Sequence, residues 1–177
     1  MYKGKCLVAH PKLQGSLFNQ SVVYIYQENK DIGAYGIILN KPSTWNLDYV
    51  FDYKGYEYPT DEPCYVGGPV STTSISLLHS DEFYSANTVP ISNGVSISSD
   101  NIMFEKIYEN NAPTDWRLFV GVSGWAPEQL DREVHIDQSW LVIEPTRELL
   151  FGYSGAAQYE KAIELYSQSM TENYFPA

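Results

Sequence analysis

Cysteine is nearly absent. Cys6 and Cys64 are the only two in 177 residues. They fit no metal-binding or dithiol spacing, so a reduced chain without a disulfide framework is expected. Long apolar runs are missing too. No stretch approaches the ~18 consecutive apolar residues that span a bilayer. The opening "MYKGKCLVAHPKL" holds only a four-residue apolar run, Cys6 to Ala9, too short for the core of a signal peptide. A soluble cytoplasmic protein that does not use the membrane is the expectation. Basic residues are also scarce: 11 Lys and Arg stand against 22 Asp and Glu, for a net charge of −11. Their only loose group is Lys3, Lys5 and Lys12. Duplex DNA is gripped by clustered cations that displace its counterions, so direct DNA binding is not expected. The three histidines, His10, His79 and His135, never fall at i, i+3 or i+4, so no local metal site forms. Neither a metal nor another cofactor is expected.

What remains is ordinary globular material, with a 44% hydrophobic and 19% charged composition that excludes disorder. The length suits one domain, residues 1 to 177, large enough to bury a core without covalent staples. Aromatics reach 15%, with 15 tyrosines. Tyrosine pairs a large apolar ring with a polar tip and suits half-buried and interface positions.

Period-two runs dominate the chain. "GKCLVAH" reads as a first strand, and Ser21 to Gln27 with Gly33 to Asn40 as a buried hairpin. Ser43 or Thr44 is expected to cap a short helix that turns Leu47, Val50 and Phe51 to one side. "EPCYVGGPV" reads as a strand ending in a turn, and "SISLLHS" as another strand. Asn93-Gly94 marks a two-residue hairpin. Met103, Phe104, Ile107 and Tyr108 fall at helical spacing behind a serine or aspartate cap. "DWRLFVGVSG" and "SWLVIEP" read as strands, Pro127 as part of a first helical turn, and "GAAQYEKAIELYSQS" as a closing amphipathic helix. The balance predicts an α+β fold on a mixed, largely antiparallel sheet.

Candidate sites are few. "GVSGW" approaches the G-x-S-x-G nucleophile elbow, but Gly124 comes one position early and Trp125 fills the slot that a crowded, strained turn reserves for glycine. Ser123 is therefore not expected to be a nucleophile. Helix N-termini bind anions, yet Pro127 removes a donor there and Glu128 occupies the anion's place. No catalytic constellation is intact, so catalysis is not the leading expectation. "VGGPV" lacks both phosphate-loop frames and reads as a turn. A competing reading gathers Asn40, Lys41, Gly67, Gly68 and Trp125 into a crevice for a small molecule, since side chains at strand ends line crevices.

The stretch from Asp48 to Glu62 is the most unusual in composition. Asp48, Asp52, Glu57, Asp61 and Glu62 face a single Lys54, with Tyr49, Tyr53, Tyr56 and Tyr58 interleaved. Acidic charge steers a basic partner and tyrosine supplies contact area. Asp52, Tyr53, Tyr56, Glu57 and Tyr58 are accordingly the expected surface for a protein partner. The alternative is a solvated loop with tyrosines lying flat on the core.

Four blocks, "GKCLVAHPKLQGSLFNQSVVYI", "GAYGIILNKP", "VGGPVS" with the following "LLH", and "GVSGWAPEQLDREVHIDQSWLV", together resemble the YqgE/AlgH family over most of the chain. The sequence departs from the pattern at His10, where methionine is expected before Pro11, and at Glu128, where glycine is usual. The resemblance implies an α+β domain with a bifurcated sheet, part of it rolled into a small barrel, and helices around it. It transfers no catalytic residue, metal or cofactor. Some members are labelled transcriptional regulators, which implies a regulatory role exerted here through a protein or metabolite.

Overall fold

The computed structural model describes residues 1–174; residues 175–177 of the expected domain lie outside them. In chain order the elements are β1 (Cys6–Ala9), β2 (Val22–Asn29), β3 (Gly33–Ile38), β4 (Pro42–Asn46), α1 (Leu47–Tyr53), β5 (Pro63–Val66), β6 (Val70–Ser80), β7 (Val89–Ser92) and β8 (Val95–Ser98). There follow α2 (Asn101–Tyr108), β9 (Trp116–Trp125), α3 (Gln129–His135), β10 (Trp140–Ile143), α4 (Arg147–Phe151) and α5 (Gly155–Tyr174). Among the described residues no helix is long and apolar enough to cross a membrane.

The fold is α+β, with a main path β10-β1-β2-β3-β9-β6-β8-β7 and a branch of β4 and β5. The long strand β9 makes the fork. Its Trp116–Val122 portion pairs with β6 along one edge. On the other edge Phe119 and Val120 pair in parallel with β5, whereas Ser123 to Trp125 pair antiparallel with β3. Every other ladder is antiparallel. The sheet is bifurcated as the resemblance implied, but it is not closed: β10 and β7 are its outer strands.

β1, the first half of β2 and most of β3 are buried on both faces, which explains their near-continuous apolar sequences. Cys6, Val8, Val22, Tyr24, Ile37 and Leu39 belong to a core roofed by α4 and α5. Leu7, Ala9, Val23, Ile25 and Ile38 point the other way, toward Trp125, Leu130 and Trp140. A third core gathers Leu47, Val50 and Phe51 from α1 with Met103, Phe104 and Ile107 from α2 and Leu77 and Leu118 from the sheet. Cys6 and Cys64 are both free, and they sit in different cores.

Several sequence expectations hold. Asn93 and Gly94 both take positive φ, 51° and 76°, as a tight hairpin turn between β7 and β8 requires. Asp100 caps α2 by accepting from the Ile102 N–H at 3.0 Å. Others change. Ser43 and Thr44 do not cap α1: they lie in β4, and Asn46 precedes the helix. Pro42 can sit there because β4 is an edge strand, where a missing N–H costs little. Pro127 lies before α3 rather than in its first turn. The short helix α4 carries no clear period; Thr146 caps it by accepting from the Leu149 N–H at 3.0 Å.

Candidate functional site

The strand-turn-helix segment from β9 into α3 is a structural latch. The Glu133 carboxylate accepts from the indole N–H groups of Trp125 at 2.8 Å and Trp140 at 2.9 Å. Phe18 packs edge-on to Trp140, with ring centroids 5.5 Å apart. Gln129 donates to Glu133 at 3.1 Å and accepts from the Ala126 N–H at 2.9 Å. Charge-assisted bonds are about twice as strong as neutral ones, so one carboxylate ties β9, α3 and β10 together. Ser123 is fully buried and donates to the Gly67 carbonyl at 3.0 Å.

The five residues of the expected crevice do not meet in one cavity. Asn40 is buried and committed: its Oδ1 accepts from the Val22 N–H at 2.9 Å, and its amide donates to the carbonyls of Gln20 at 2.8 Å and Gly155 at 3.1 Å. It pins the start of β2 to the start of α5. Gly67 and Gly68 are walled by backbone, since a Cβ would overlap the Gly121 carbonyl at the first and Val122 at the second. Lys41 is half-buried, which lowers its ammonium pKa. Its carbonyl accepts from the Val66 N–H at 2.8 Å. Trp125 pairs with Ala34 in register, six positions along the chain from Asn40, or about 20 Å in an extended strand.

His79 shows no exposure and makes two bonds, Nδ1 to the Ser80 carbonyl at 2.7 Å and Nε2 to Ser98 Oγ at 2.7 Å. A carbonyl can only accept, so Nδ1 carries the proton and Nε2 of the neutral ring accepts from the Ser98 hydroxyl. Ser98 Oγ then accepts from Thr88 Oγ1 at 2.7 Å, which in turn accepts from the Ser85 N–H at 2.7 Å. This one-way relay joins β6, β8 and the segment before β7. Burial lowers the imidazole pKa, consistent with a neutral ring. Among the described residues no three His, Cys, Asp or Glu side chains are grouped to hold a metal.

The acidic tyrosine stretch divides in two. Tyr58 stacks on Phe51, with centroids 4.4 Å apart, and Tyr56 leans on Tyr108 at 5.1 Å. Both rings lie against the α1–α2 core, so they are not free contact surface. Asp52, Glu57 and Tyr53 stay exposed. Helix α1 explains the split. Leu47, Val50 and Phe51 point inward, and the i, i+4 pairs Asp48/Asp52 and Tyr49/Tyr53 share the outer side. Trp45, on edge strand β4, adds its ring 5.3 Å from that of Tyr49. Trp45, Tyr49 and Tyr53 border an apolar cleft of about 180 Å³ whose other wall is Thr72, Thr73, Ile75 and Val120.

Sequence reading passed over Trp45 and gave Tyr49 no separate weight. The available signals were a tryptophan in the polar run "PSTWN" and the i, i+4 tyrosines opposite the apolar side of α1. It also passed over Arg117, a cation inside an apolar strand, which is taken up below.

Comparison with known proteins follows this geometry. The model of the AlgH-like family matches residues 6–171. A UPF0301 protein of Marinomonas sp. (strain MWYL1) is 30% identical over 174 residues, covering 96% of this chain and 92% of that protein. A UPF0301 protein of Methylococcus capsulatus is 32% identical over 164 residues, covering 91% of this chain and 89% of its own. The fold is similar to the solution structure of the AlgH protein from Pseudomonas aeruginosa, with TM-score 0.80 and 24% identity over 99% of this chain and 94% of that one. Matching both in sequence across nearly its whole described length and in fold, this chain belongs to the AlgH-like family.

Proposed function

We propose that the chain acts by binding a protein partner, with the Trp45–Tyr49–Tyr53 cleft as the docking face and Asp48, Asp52 and Glu57 as its charged rim. The supporting observation is the exposure of those three rings, 50%, 57% and 78%, around one apolar cleft. Aromatic anchors contribute large contact area at small entropic cost and dominate interface energetics. A rim of one sign steers encounter with a partner of the opposite sign. The matching partner is a protein segment with an apolar side chain flanked by Lys or Arg. Any regulatory effect on transcription then runs through this contact rather than through DNA, given the net charge of −11. The reading assigns no chemistry to Ser123 or to His79 and Ser98, all of which are buried.

The test is affinity capture from host lysate with wild type and with Trp45→Ala/Tyr49→Ala/Tyr53→Ala. Exposed substitutions of this kind cost about 0.5 kcal/mol or less each, so the variant is expected to fold. A partner held by wild type, released by added salt and lost by the variant supports the proposal. A partner held equally by both, or none at all, rejects it. Tyr56 and Tyr58 are unsuitable for this test because truncating them opens the core.

A further inference from the structure

Arg117 is 9% exposed, at the start of β9, where it opens a buried run with Leu118 and Phe119. Its Nη1 donates to the Leu39 carbonyl at 3.0 Å and to Gln158 Oε1 at 3.1 Å, and its Nη2 donates to the Tyr153 carbonyl at 2.7 Å. The Tyr65 ring lies over the guanidinium, 4.3 Å from Cζ to the centroid. All of these partners are neutral. Among the described residues Arg117 forms no salt bridge, although the protein carries 22 carboxylate side chains. A guanidinium has five N–H donors. Three are used here, leaving Nε–H and one on Nη2 without a protein acceptor among the described residues. A desolvated charge without a counter-ion is costly, so the open donors mark a place where an anion would be stabilised.

That place is open to ligand. Arg117 lines a cleft of about 480 Å³ between β5, the start of β9 and α4, with Tyr58, Tyr65 and Trp116 among its walls. Two carboxylates, Glu62 and Asp115, also line it. Asp115 is occupied by Arg147 at 2.7 Å. Glu62 is exposed and has no ion-pair partner among the described residues. The cleft is thus dipolar: its lining carries one unneutralised cation, Arg117, and one unneutralised anion, Glu62. A phosphate dianion matches this badly, because it would bring two charges to one guanidinium and face Glu62. A single carboxylate fits the open donors, whose planar fork suits two oxygens.

We propose that this cleft binds a small zwitterion of the amino-acid type, its carboxylate on Arg117 and its ammonium facing Glu62. This site is separate from the Trp45 cleft and does not depend on it.

The experiment follows the Arg117 Nε–Hε resonance in ¹⁵N-labelled protein at constant ionic strength. The chain has only three arginines, so Arg132→Lys and the charge-conserving Arg147→Lys assign the Arg117 signal by elimination, and the titrations keep both native arginines so that Arg147 still holds Asp115. The probes are the ω-amino acids from glycine to 6-aminohexanoate, with propionate and inorganic phosphate beside them. At one chain length an amino acid is expected to saturate the shift and to bind tighter than propionate by about threefold, the size of one exposed ion pair. Glu62→Gln, an exposed change, should weaken that amino acid and strengthen propionate. No saturable shift, propionate or phosphate matching every amino acid, or Glu62→Gln weakening both ligands alike would each overturn the proposal. Since Trp45, Tyr49 and Tyr53 are intact throughout, failure here leaves the docking surface untouched.

Discussion

His79 is one of the few polar side chains in this chain with no exposure at all, and its neutral state follows from its bonds. Burial lowers its pKa, outweighing the Ser80 carbonyl and the nearby carboxylates of Glu82 and Asp81, which raise it. An unfolded histidine titrates near ~6.5, so below that pH the unfolded chain binds a proton that the native state refuses. The sign is then fixed: native stability is complete above about pH 6.5 and falls as pH drops below it, by at most ~1.4 kcal/mol per pH unit from this group. Urea unfolding between about pH 8 and 5.5 should show this decline in wild type, with a shallower slope in a less stable His79→Gln. Equal slopes would mean that the native imidazole takes up the proton. On the same face of β8, Ser96 Oγ is buried without a hydrogen-bond partner among the described residues. An orphaned hydroxyl costs its desolvation, so Ser96→Ala is expected to raise stability by about 1 kcal/mol. A drop in the denaturation midpoint would reveal an acceptor that the hydroxyl reaches.

At the scale of elements, the entry to α3 shows how a local departure from a family pattern becomes physical. Glu128 takes φ 69°, the left-handed region. That conformation costs an L-residue about 1–2 kcal/mol, part of which glycine returns through unfolded-chain entropy. This is a physical ground for the glycine that the family resemblance led one to expect there. Glu128→Gly should raise stability by roughly 0.5–1 kcal/mol, read as a higher urea midpoint at constant slope; an unchanged or lower midpoint would show that the Glu128 side chain makes a compensating contact. The turn nevertheless forms with glutamate because Glu133 anchors the helix to one indole on each flanking strand, Trp125 before it and Trp140 after it. Helix α1 teaches a similar lesson. Serine and threonine are good caps, so Ser43 and Thr44 suggest a helix start. Pairing of Pro42 with Tyr65 and of Asn46 with Pro63 draws them into β4 instead. Tertiary pairing overrode local preference.

Across the whole molecule, one strand organises both candidate surfaces. β9 is neighbour to β3, β5 and β6, and its residues reach both clefts, Val120 in the aromatic one and Arg117 in the dipolar one. The local part of this was written in the sequence. Apolar runs set β1 to β3, Asn93-Gly94 set a hairpin, and helical spacing set α2 and α5, because each depends on neighbours within a few residues. The surplus of carboxylates and the tyrosines of α1 were equally legible, and they lie in the segment that borders the proposed docking cleft. Which tyrosines face water was decided only by packing: Phe51 and Tyr108 claim Tyr58 and Tyr56 and leave Tyr49 and Tyr53 outside. The dipolar cleft was not legible at all. Arg117 meets Leu39, Tyr65 and Gln158 from distant parts of the chain, and pairwise distance across a folded sheet has no signature in local spacing. Sequence alone therefore determined most of the element types, β4 and α4 excepted, together with the family and the charge. The tertiary structure decided which polar groups are spent on the fold and which line its clefts.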